Sequence, residues 1–315
     1  MDLVSLFGTE MMISRIIFGC EPLGGTDWGK VDEQQLEQAV TKALDLGINC
    51  FDVADVYGLG RAEERLAEIL GAKRHEVVII SKFGVNWQPS LGKNRAHTFL
   101  DSSPHRVITA LENSLRRLKL DCIPIYLIHW PDPNTPIEDT IEALCKCQDM
   151  GKIQHFGVSN FPLPLLKQAH SWHKIPFVEL QYNLVDRSSE IELLPYCLTE
   201  HINVFAYGSL AQGLLTGKYD VNTKFSQDDR RHRLPHFQPD TLAKNLSIID
   251  KLNKLSEIHN KKVSQVAIRW LLDQPGVSAA IVGAKTPEQT EMNIAALGWH
   301  LSEQDKEYLN CNKNS

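Results

Sequence analysis

Four residue types that can move a proton while hydride moves elsewhere recur in one kind of place along this chain, just after a short apolar run. The segment Gly47-Ile48-Asn49-Cys50-Phe51-Asp52-Val53-Ala54-Asp55-Val56-Tyr57-Gly58 closes such a run with a carboxylate and follows it with a phenol. Ser81-Lys82-Phe83-Gly84 ends the next run with an amine, and Leu127-Ile128-His129-Trp130-Pro131-Asp132-Pro133 ends the one after with an imidazole. Hydride arriving at a carbonyl carbon leaves charge on the oxygen, which a general acid must protonate. A free tyrosine, with a pKa of about 10, is a weak acid at neutral pH. A neighbouring ammonium favours the phenolate and lowers that value. On this reading Tyr57 donates the proton, Lys82 acidifies it, Asp52 keeps Lys82 charged and oriented, and His129 donates a hydrogen bond to the substrate oxygen. Each residue alone has a plainer role: Asp52 as a cap, Tyr57 as a loop aromatic, Lys82 as a solvated cation, His129 as a packed histidine. Their joint placement after consecutive strands favours chemistry.

Placing them at one end of one body requires strands that end together. Short apolar runs predict strands at Ile16–Phe18, Asn49–Asp52, Val77–Ser81, Ile125–Ile128, His155–Val158, Phe177–Gln181, Asn203–Tyr207 and Ala279–Val282. Most lack polar alternation, as strands buried on both faces do. Helical spacing fills the intervals at Asp32–Leu46, Ala62–Leu70, from Ser103-Pro104 onward, from Thr135-Pro136 to Gly151, and at Pro164–His170, Glu190–Glu200, Leu242–Ile258, Ser264–Asp273 and Pro287–Leu297. Strand–helix alternation on this scale predicts a barrel or a large doubly wound sheet. No G-x-G-x-x-G joins a strand to a helix, and the polar candidates cluster at the C-terminal ends of several different strands. Both facts favour an α/β fold of the (β/α)8 TIM-barrel type with extended loops at the C-terminal face. A barrel needs about 250 residues, so residues 1–315 are expected to form a single domain. The long connections Gly84–Ser102 and Tyr219–Pro239 are expected to be functional or mobile.

Composition narrows the partners. The formal net charge is −6 with 43% apolar and 23% charged residues, a poor basis for binding nucleic acid or an anionic membrane surface. Seven scattered cysteines, Cys20, Cys50, Cys122, Cys145, Cys147, Cys197 and Cys311, argue against a disulfide framework. Cys145-x-Cys147 lacks a second pair for zinc, so no metal site is expected. With no secretory signal and no membrane span in the sequence, the expected location is the cytoplasm, as a monomer or homo-oligomer.

Taken together, the segments Gly47–Gly58, Ile80–Gly84, Tyr126–Pro133, Gly151–Phe161, Glu179–Asn183, Phe205–Tyr219 and Ile281–Asn293 resemble the aldo-keto reductase family in order and across almost the whole chain. The similarity leans toward bacterial-type sugar and aldehyde reductases and potassium-channel β-subunits, on the loop Gly24–Gly29 and the run Ala211–Tyr219. The resemblance implies a catalytic tetrad of Asp52, Tyr57, Lys82 and His129. It implies that Ser159, Asn160 and Gln181 hold the nicotinamide carboxamide and that Tyr207 stacks on the ring. Backbone amides near Leu210 and Gly213, with Lys218, would meet the pyrophosphate. Gly283, Lys285, Gln289 and Asn293 would lie along the adenosine phosphate, and the charge of Lys285 favours NADP(H) over NAD(H). Two positions depart from the family pattern. Met292 stands where many members have Glu, and the first strand reads Ile17-Phe18-Gly19-Cys20-Glu21, which brings the Glu21 carboxylate to the mouth of the site. Trp28, Trp87 and Trp130, with Glu21, are candidate walls of a substrate pocket.

The function expected is hydride transfer between NADP(H) and a small carbonyl or alcohol substrate, an aldehyde, ketone or sugar, with Tyr57 as acid or base. Two other uses of the same fold remain open at this stage. One is an NADP(H)-binding regulatory subunit with little turnover. The other is a redox-neutral enzyme that oxidises and re-reduces one substrate.

Overall fold

Strands buried on both faces need cover on both faces, and a ring of parallel strands wrapped by helices provides it. The computed structural model describes residues 1–26, 28, 31–88, 96–227 and 229–310. Among these the strands are β1 (Leu3–Ser5), β2 (Met12–Ser14), β3 (Ile16–Gly19), β4 (Cys50–Asp52), β5 (Val78–Phe83), β6 (Val85–Gln88), β7 (His97–Leu100), β8 (Ile123–Ile128), β9 (Ile153–Ser159), β10 (Phe177–Gln181), β11 (Asn203–Tyr207) and β12 (Val277–Gly283). The helices are α1 (Glu33–Asp45), α2 (Arg61–Leu70), α3 (Pro104–Leu118), α4 (Ile137–Asp149), α5 (Leu163–Trp172), α6 (Leu193–Thr199), α7 (Pro239–His259), α8 (Val263–Leu272), α9 (Pro287–Ile294) and α10 (Glu303–Asn310).

Strands β3, β4, β5, β8, β9, β10, β11 and β12 pair in parallel in that order, and β12 closes back onto β3. The result is a (β/α)8 TIM barrel, with each predicted run forming one of its strands. Period-two alternation sorts each strand into two faces. Ile17, Cys50, Ile80, Ile125, Leu127, Phe177, Phe205, Ala279 and Ile281 fill the inside. Phe18, Phe51, Ile79, Tyr126, Val178 and Val204 pack outward into the larger core with the helices. Burying one such side chain contributes about 1.5–3 kcal/mol, so neither face can turn to water. Local signals set the helix ends. The Asp32 side chain accepts from the amides of Gln34 and Gln35 at the start of α1, and Ser103 accepts from Arg106 at the start of α3.

The hairpin β1–β2 was not expected. It lies across the N-terminal ends of the barrel strands, where Phe7 N–H donates to Asn203 Oδ1 and Ser14 N–H to Asn49 Oδ1. Leu6 and Ile13 enter the interior cluster and plug that end. Its three-residue strands are too short, and β1 too exposed, to print a pattern. The connection Gly84–Ser102, read as a loop, holds the antiparallel hairpin β6–β7. Helix α10 also went unread, because Leu309 is its one buried residue and no apolar stripe forms. No helix among the described residues is long and apolar enough to cross a membrane.

Candidate active site

The alternation that fills the barrel also builds its mouth. One step, two residues, beyond the interior positions Cys50, Ile80, Leu127 and Phe177 stand Asp52, Lys82, His129 and Glu179. Each side chain must therefore point inward at the C-terminal end. Strand β5 runs through Lys82, which is fully buried. Its Nζ donates to Asp52 Oδ2, and to the Val53 carbonyl at 3.2 Å. It also lies 3.3 Å from Glu179 Oε2. On its other side Nζ sits 5.5 Å from the centre of the Tyr57 ring. That ring meets His129 edge-on at 5.8 Å and 83°. The structure thus brings the phenol, ammonium, carboxylate and imidazole into one buried cluster, with Glu179 as a further member that the sequence reading missed. Its signal was available: one carboxylate at an inward position of the apolar run Phe177-Val178-Glu179-Leu180.

Electrostatics correct one expectation. Burial raises the Tyr57 hydroxyl well above the usual phenol value, and the carboxylates of Asp52, Glu21 and Glu179 push it further. The expected acidification by Lys82 does not appear, because that ammonium is already shared by two carboxyls. Burial works against the Lys82 charge, yet Asp52 and Glu179 outweigh it and hold the amine above its ordinary value. Burial, then Lys82, drives His129 well below its normal range. The imidazole is neutral and can donate one hydrogen bond without carrying charge.

The turn that carries Tyr57 is held by backbone packing. Gly58 has φ +59°, and a Cβ there would lie 2.3 Å from the Gly24 carbonyl oxygen. Gly24 presses back, its own Cβ position lying 2.7 Å from Gly58 N. Below the turn, Asp55 pairs with Arg106 at 3.2 Å, and burial, then Glu63, lifts the Asp55 carboxyl to about 8. Gly58→Ala should therefore displace the Tyr57 turn, adding a left-handed penalty of about 1 kcal/mol to a backbone clash. A drop in unfolding free energy of about 2 kcal/mol or more in urea is the expected reading.

Further round the rim, Ser159 is buried, and Asn160 takes the left-handed conformation at φ +62°. The Asn160 amide donates to the His129 carbonyl at 2.9 Å and to Ser159 Oγ at 3.0 Å, and its oxygen accepts from the Tyr207 hydroxyl at 2.6 Å. These bonds tie the left-handed Asn160 to the residue after β8 and, across the barrel mouth, to β11. Gln181 donates to Asp186 Oδ2 at 3.1 Å. In the loop after β11, Ala211, Gln212 and Gly213 all have positive φ. The Gly213 amide is committed to the Leu210 carbonyl at 2.9 Å, so the loop closes on itself. Lys218 lies against the Tyr219 ring.

Lys285 Nζ donates to the Trp28 carbonyl at 2.7 Å, and its backbone N–H to Gln289 Oε1 at 2.8 Å. Burial, then Arg231, lowers Lys285 to about 8, Lys218 adds to the push, and Asp229 opposes it. Arg231, which pairs with Asp229 and donates to Tyr219, was not singled out in the sequence. Asn293 donates to the Gly283 carbonyl at 3.4 Å. The Met292 carbonyl accepts from Gln265 at 3.1 Å. Glu21 ion-pairs with Arg230 at 2.5 Å, and Arg230 lies 5.4 Å over the Trp28 ring. Trp28 is therefore clamped between Arg230 and Lys285, so it belongs to the rim joining pocket and groove. Trp87, on β6, lies under the Arg106 guanidinium of α3, while Trp130 is 44% exposed.

A nicotinamide dinucleotide has a carboxamide, a flat ring and phosphates, and the rim offers a partner for each. The His129 Nδ1 and Gln212 Oε1 atoms are buried with no hydrogen-bond partner among the described residues. Buried polar atoms left open in this way are costly unless a ligand meets them. Lys218, Arg231 and Lys285 converge on one another, a repulsion that a phosphate relieves. On these observations the residues present fit such a group.

Comparison with known proteins agrees with this geometry. The aldo/keto reductase family model matches residues 15–311. The chain is 37% identical over 313 residues to the aldo-keto reductase YhdN of Bacillus subtilis, covering 98% of this chain and 93% of that protein. It is 31% identical to the aldo-keto reductase yakc [NADP(+)] of Schizosaccharomyces pombe, over 92% of this chain and 86% of that one. To the NADH-specific methylglyoxal reductase of Escherichia coli it is 29% identical, over 97% and 96%. The structure of the glycerol dehydrogenase AKR11B4 from Gluconobacter oxydans superposes with a TM-score of 0.91 at 36% identity, covering 98% of this chain and 94% of that one. A closed parallel barrel, a buried polar cluster at its C-terminal mouth and these matches over nearly the whole length have one reading: the chain belongs to the aldo/keto reductase family of oxidoreductases.

Proposed function

We propose that this protein reduces a small carbonyl compound, or oxidises the matching alcohol, with NADP(H) as hydride partner and Tyr57 as the group that exchanges the proton. The observation that carries the reading is the packing of the half-buried Tyr57 ring against both Lys82 and His129, with Lys82 fixed by Asp52. When bound, the dinucleotide supplies or accepts hydride at nicotinamide C4. Ser159 and Asn160 would hold its carboxamide, with Gln181 alongside, and Tyr207 would flank the ring. Leu210, Gly213 and Lys218 would border the pyrophosphate, and Lys285, Gln289 and Asn293 the adenosine end beyond Gly283.

The substrate oxygen would sit between the Tyr57 hydroxyl and the neutral His129 ring. His129 donates a hydrogen bond to that oxygen and steadies the growing charge. Tyr57 then gives up its proton to the oxygen, and the phenolate left behind faces the Lys82 ammonium. Because burial keeps Tyr57 protonated at neutral pH, reduction is the direction its resting state suits. Alcohol oxidation needs the phenolate and should accelerate as pH rises. Glu21, Trp28, Trp87 and Trp130 would line the approach, Glu21 held by Arg230.

The test is direct. Purified protein should oxidise NADPH in the presence of a reactive aldehyde such as a nitrobenzaldehyde. Absence of net NADPH consumption across a panel of aldehydes, ketones and sugars would remove the reading. Cofactor choice has its own test. Lys285→Ala should weaken NADPH binding by about 10- to 100-fold, as expected for losing a charge-assisted hydrogen bond worth about 1.5–3 kcal/mol, while NADH binding barely changes. The sign with pH follows from Lys285 sitting at about 8. NADPH affinity should be full below that value and fall as pH rises through it and the amine loses its charge. Equal loss for both dinucleotides would remove Lys285 from the 2′-phosphate.

A further inference from the structure

The barrel mouth holds one more ionisable group than the proposed chemistry uses. Around the Lys82 ammonium stand two carboxyls, Asp52 from β4 and Glu179 from β10, their side chains 5% and 4% exposed. Both contact the same Nζ, Glu179 at 3.3 Å, which brings the two carboxyls beside one another. Two carboxylates have no proton to share, so a hydrogen bond between them requires that one be an acid. The neighbours decide which. Asp52 takes the closer contact with Lys82 Nζ, whereas Glu179 Oε2 lies farther off, at 3.3 Å. One ammonium balances one carboxylate, and a second anion at this depth would be uncompensated.

We propose that Glu179 is a positioning residue that carries a proton at neutral pH, donates it in a hydrogen bond to Asp52, and so keeps the Lys82–Asp52 pair electrically balanced beneath Tyr57. The inference rests on Tyr57 being the proton donor for its effect on rate, but not for its structural content. Burial, then Asp52, holds the Glu179 acid up at about 8, in keeping with this assignment. The charged and titratable groups facing the cluster are Asp52, Lys82, Tyr57, His129 after β8 and Tyr207 on β11, the buried thiols of Cys20 and Cys50, both held neutral by burial, and Glu21 and Arg230, which act on Tyr57 from the rim. Above about 8 the lost Glu179 proton leaves a fixed negative charge that pushes the Tyr57 hydroxyl further up. Glu179 thereby sets where the reaction loses its acid as pH rises.

Two readouts test this on the whole enzyme. In infrared difference spectra, the carbonyl stretch of a buried carboxylic acid should be present in the wild type at neutral pH. It should fade as pH rises through about 8 and be missing from Glu179→Gln. It should survive in Tyr57→Phe, which separates this inference from the reading it rests on. In Glu179→Gln the alkaline limb of kcat/KM for carbonyl reduction should move down by about one pH unit, the size expected from removing one nearby charge. A purely structural role for Glu179 would lower rates without moving that limb. Should the Gln variant fail to fold, Glu179→Asp made with isotope-labelled glutamate should carry the acid band without the label shift. The proposal is overturned if the band persists in Glu179→Gln, if it disappears in Glu21→Gln instead, or if the alkaline limb stays in place.

Discussion

Tyr57→Phe should abolish carbonyl reduction while leaving NADPH bound almost as before. The substitution removes one oxygen and keeps the ring that packs edge-on to His129 and over Lys82. The binding surface therefore survives, while the group that would protonate the developing alkoxide is gone. A positioned general acid contributes about 10²–10⁴-fold, and among the described residues the other proton-bearing groups of the cluster are engaged elsewhere, the proposed Glu179 acid with Asp52. Lys82 is committed to Asp52, and His129 is neutral. Stability should hold or rise slightly, because a buried hydroxyl loses its desolvation cost with its removal. Single-turnover rates, NADPH fluorescence titration and thermal melting together read all three expectations. Substantial turnover by a folded, NADPH-binding Tyr57→Phe protein would show that another group supplies the proton.

Lys82→Met should damage both stability and rate, and the two effects have different causes. The ammonium is the cation that two buried carboxyls share, and removing one partner of a buried pair costs about 3–5 kcal/mol. Both acids then sit in a buried pocket with no cation beside them, so Asp52 should take up a proton as well and Glu179 should hold its own to higher pH. A carboxyl whose pKa is higher folded than unfolded favours the unfolded state as pH rises between those two values. The variant should thus be most stable in mild acid and lose stability steadily through neutral pH. The wild type should show less of this slope, since Lys82 opposes the upward push on both acids. Chemical denaturation at several pH values reads the slope. The rate should fall by about 10²–10³-fold, the usual scale for removing one electrostatic partner of a transition state, because nothing would then face the Tyr57 phenolate. A Lys82→Met protein with unaltered stability across pH would mean that the two carboxyls are not coupled to this amine.

Neither effect needs Lys82 to acidify Tyr57 in the resting protein, and it does not do so. The ammonium acts when charge appears on the phenol. Before that, burial and the carboxylates of Asp52, Glu21 and Glu179 push the hydroxyl the other way. A residue pair of the right types is thus not enough to give the sign of a pKa shift, which depends on everything else that shares the charge.

Much of this protein was legible from the chain alone, for a local reason. Strands such as Phe177–Gln181 and Asn203–Tyr207 are covered on both faces, so they must be apolar throughout, and that demand is written in a few adjacent residues. Asp52, Lys82 and His129 were visible because each interrupts or ends such a run, and Tyr57 because it follows one closely. What only the tertiary structure decided were relations across the ring. Glu179 obeys the same alternation as Lys82, but that it meets Lys82 and Asp52 follows from closure, which turns β10 toward β4 and β5 over an interior a few side chains wide. The convergence of Lys218, Arg231 and Lys285, and the clamp of Arg230 on Glu21 and Trp28, join segments far apart in sequence that share no periodic pattern. The plug formed by Leu6 and Ile13 was hidden for the same reason: its apolar residues answer to a cavity that exists only once eight distant strands have closed around it.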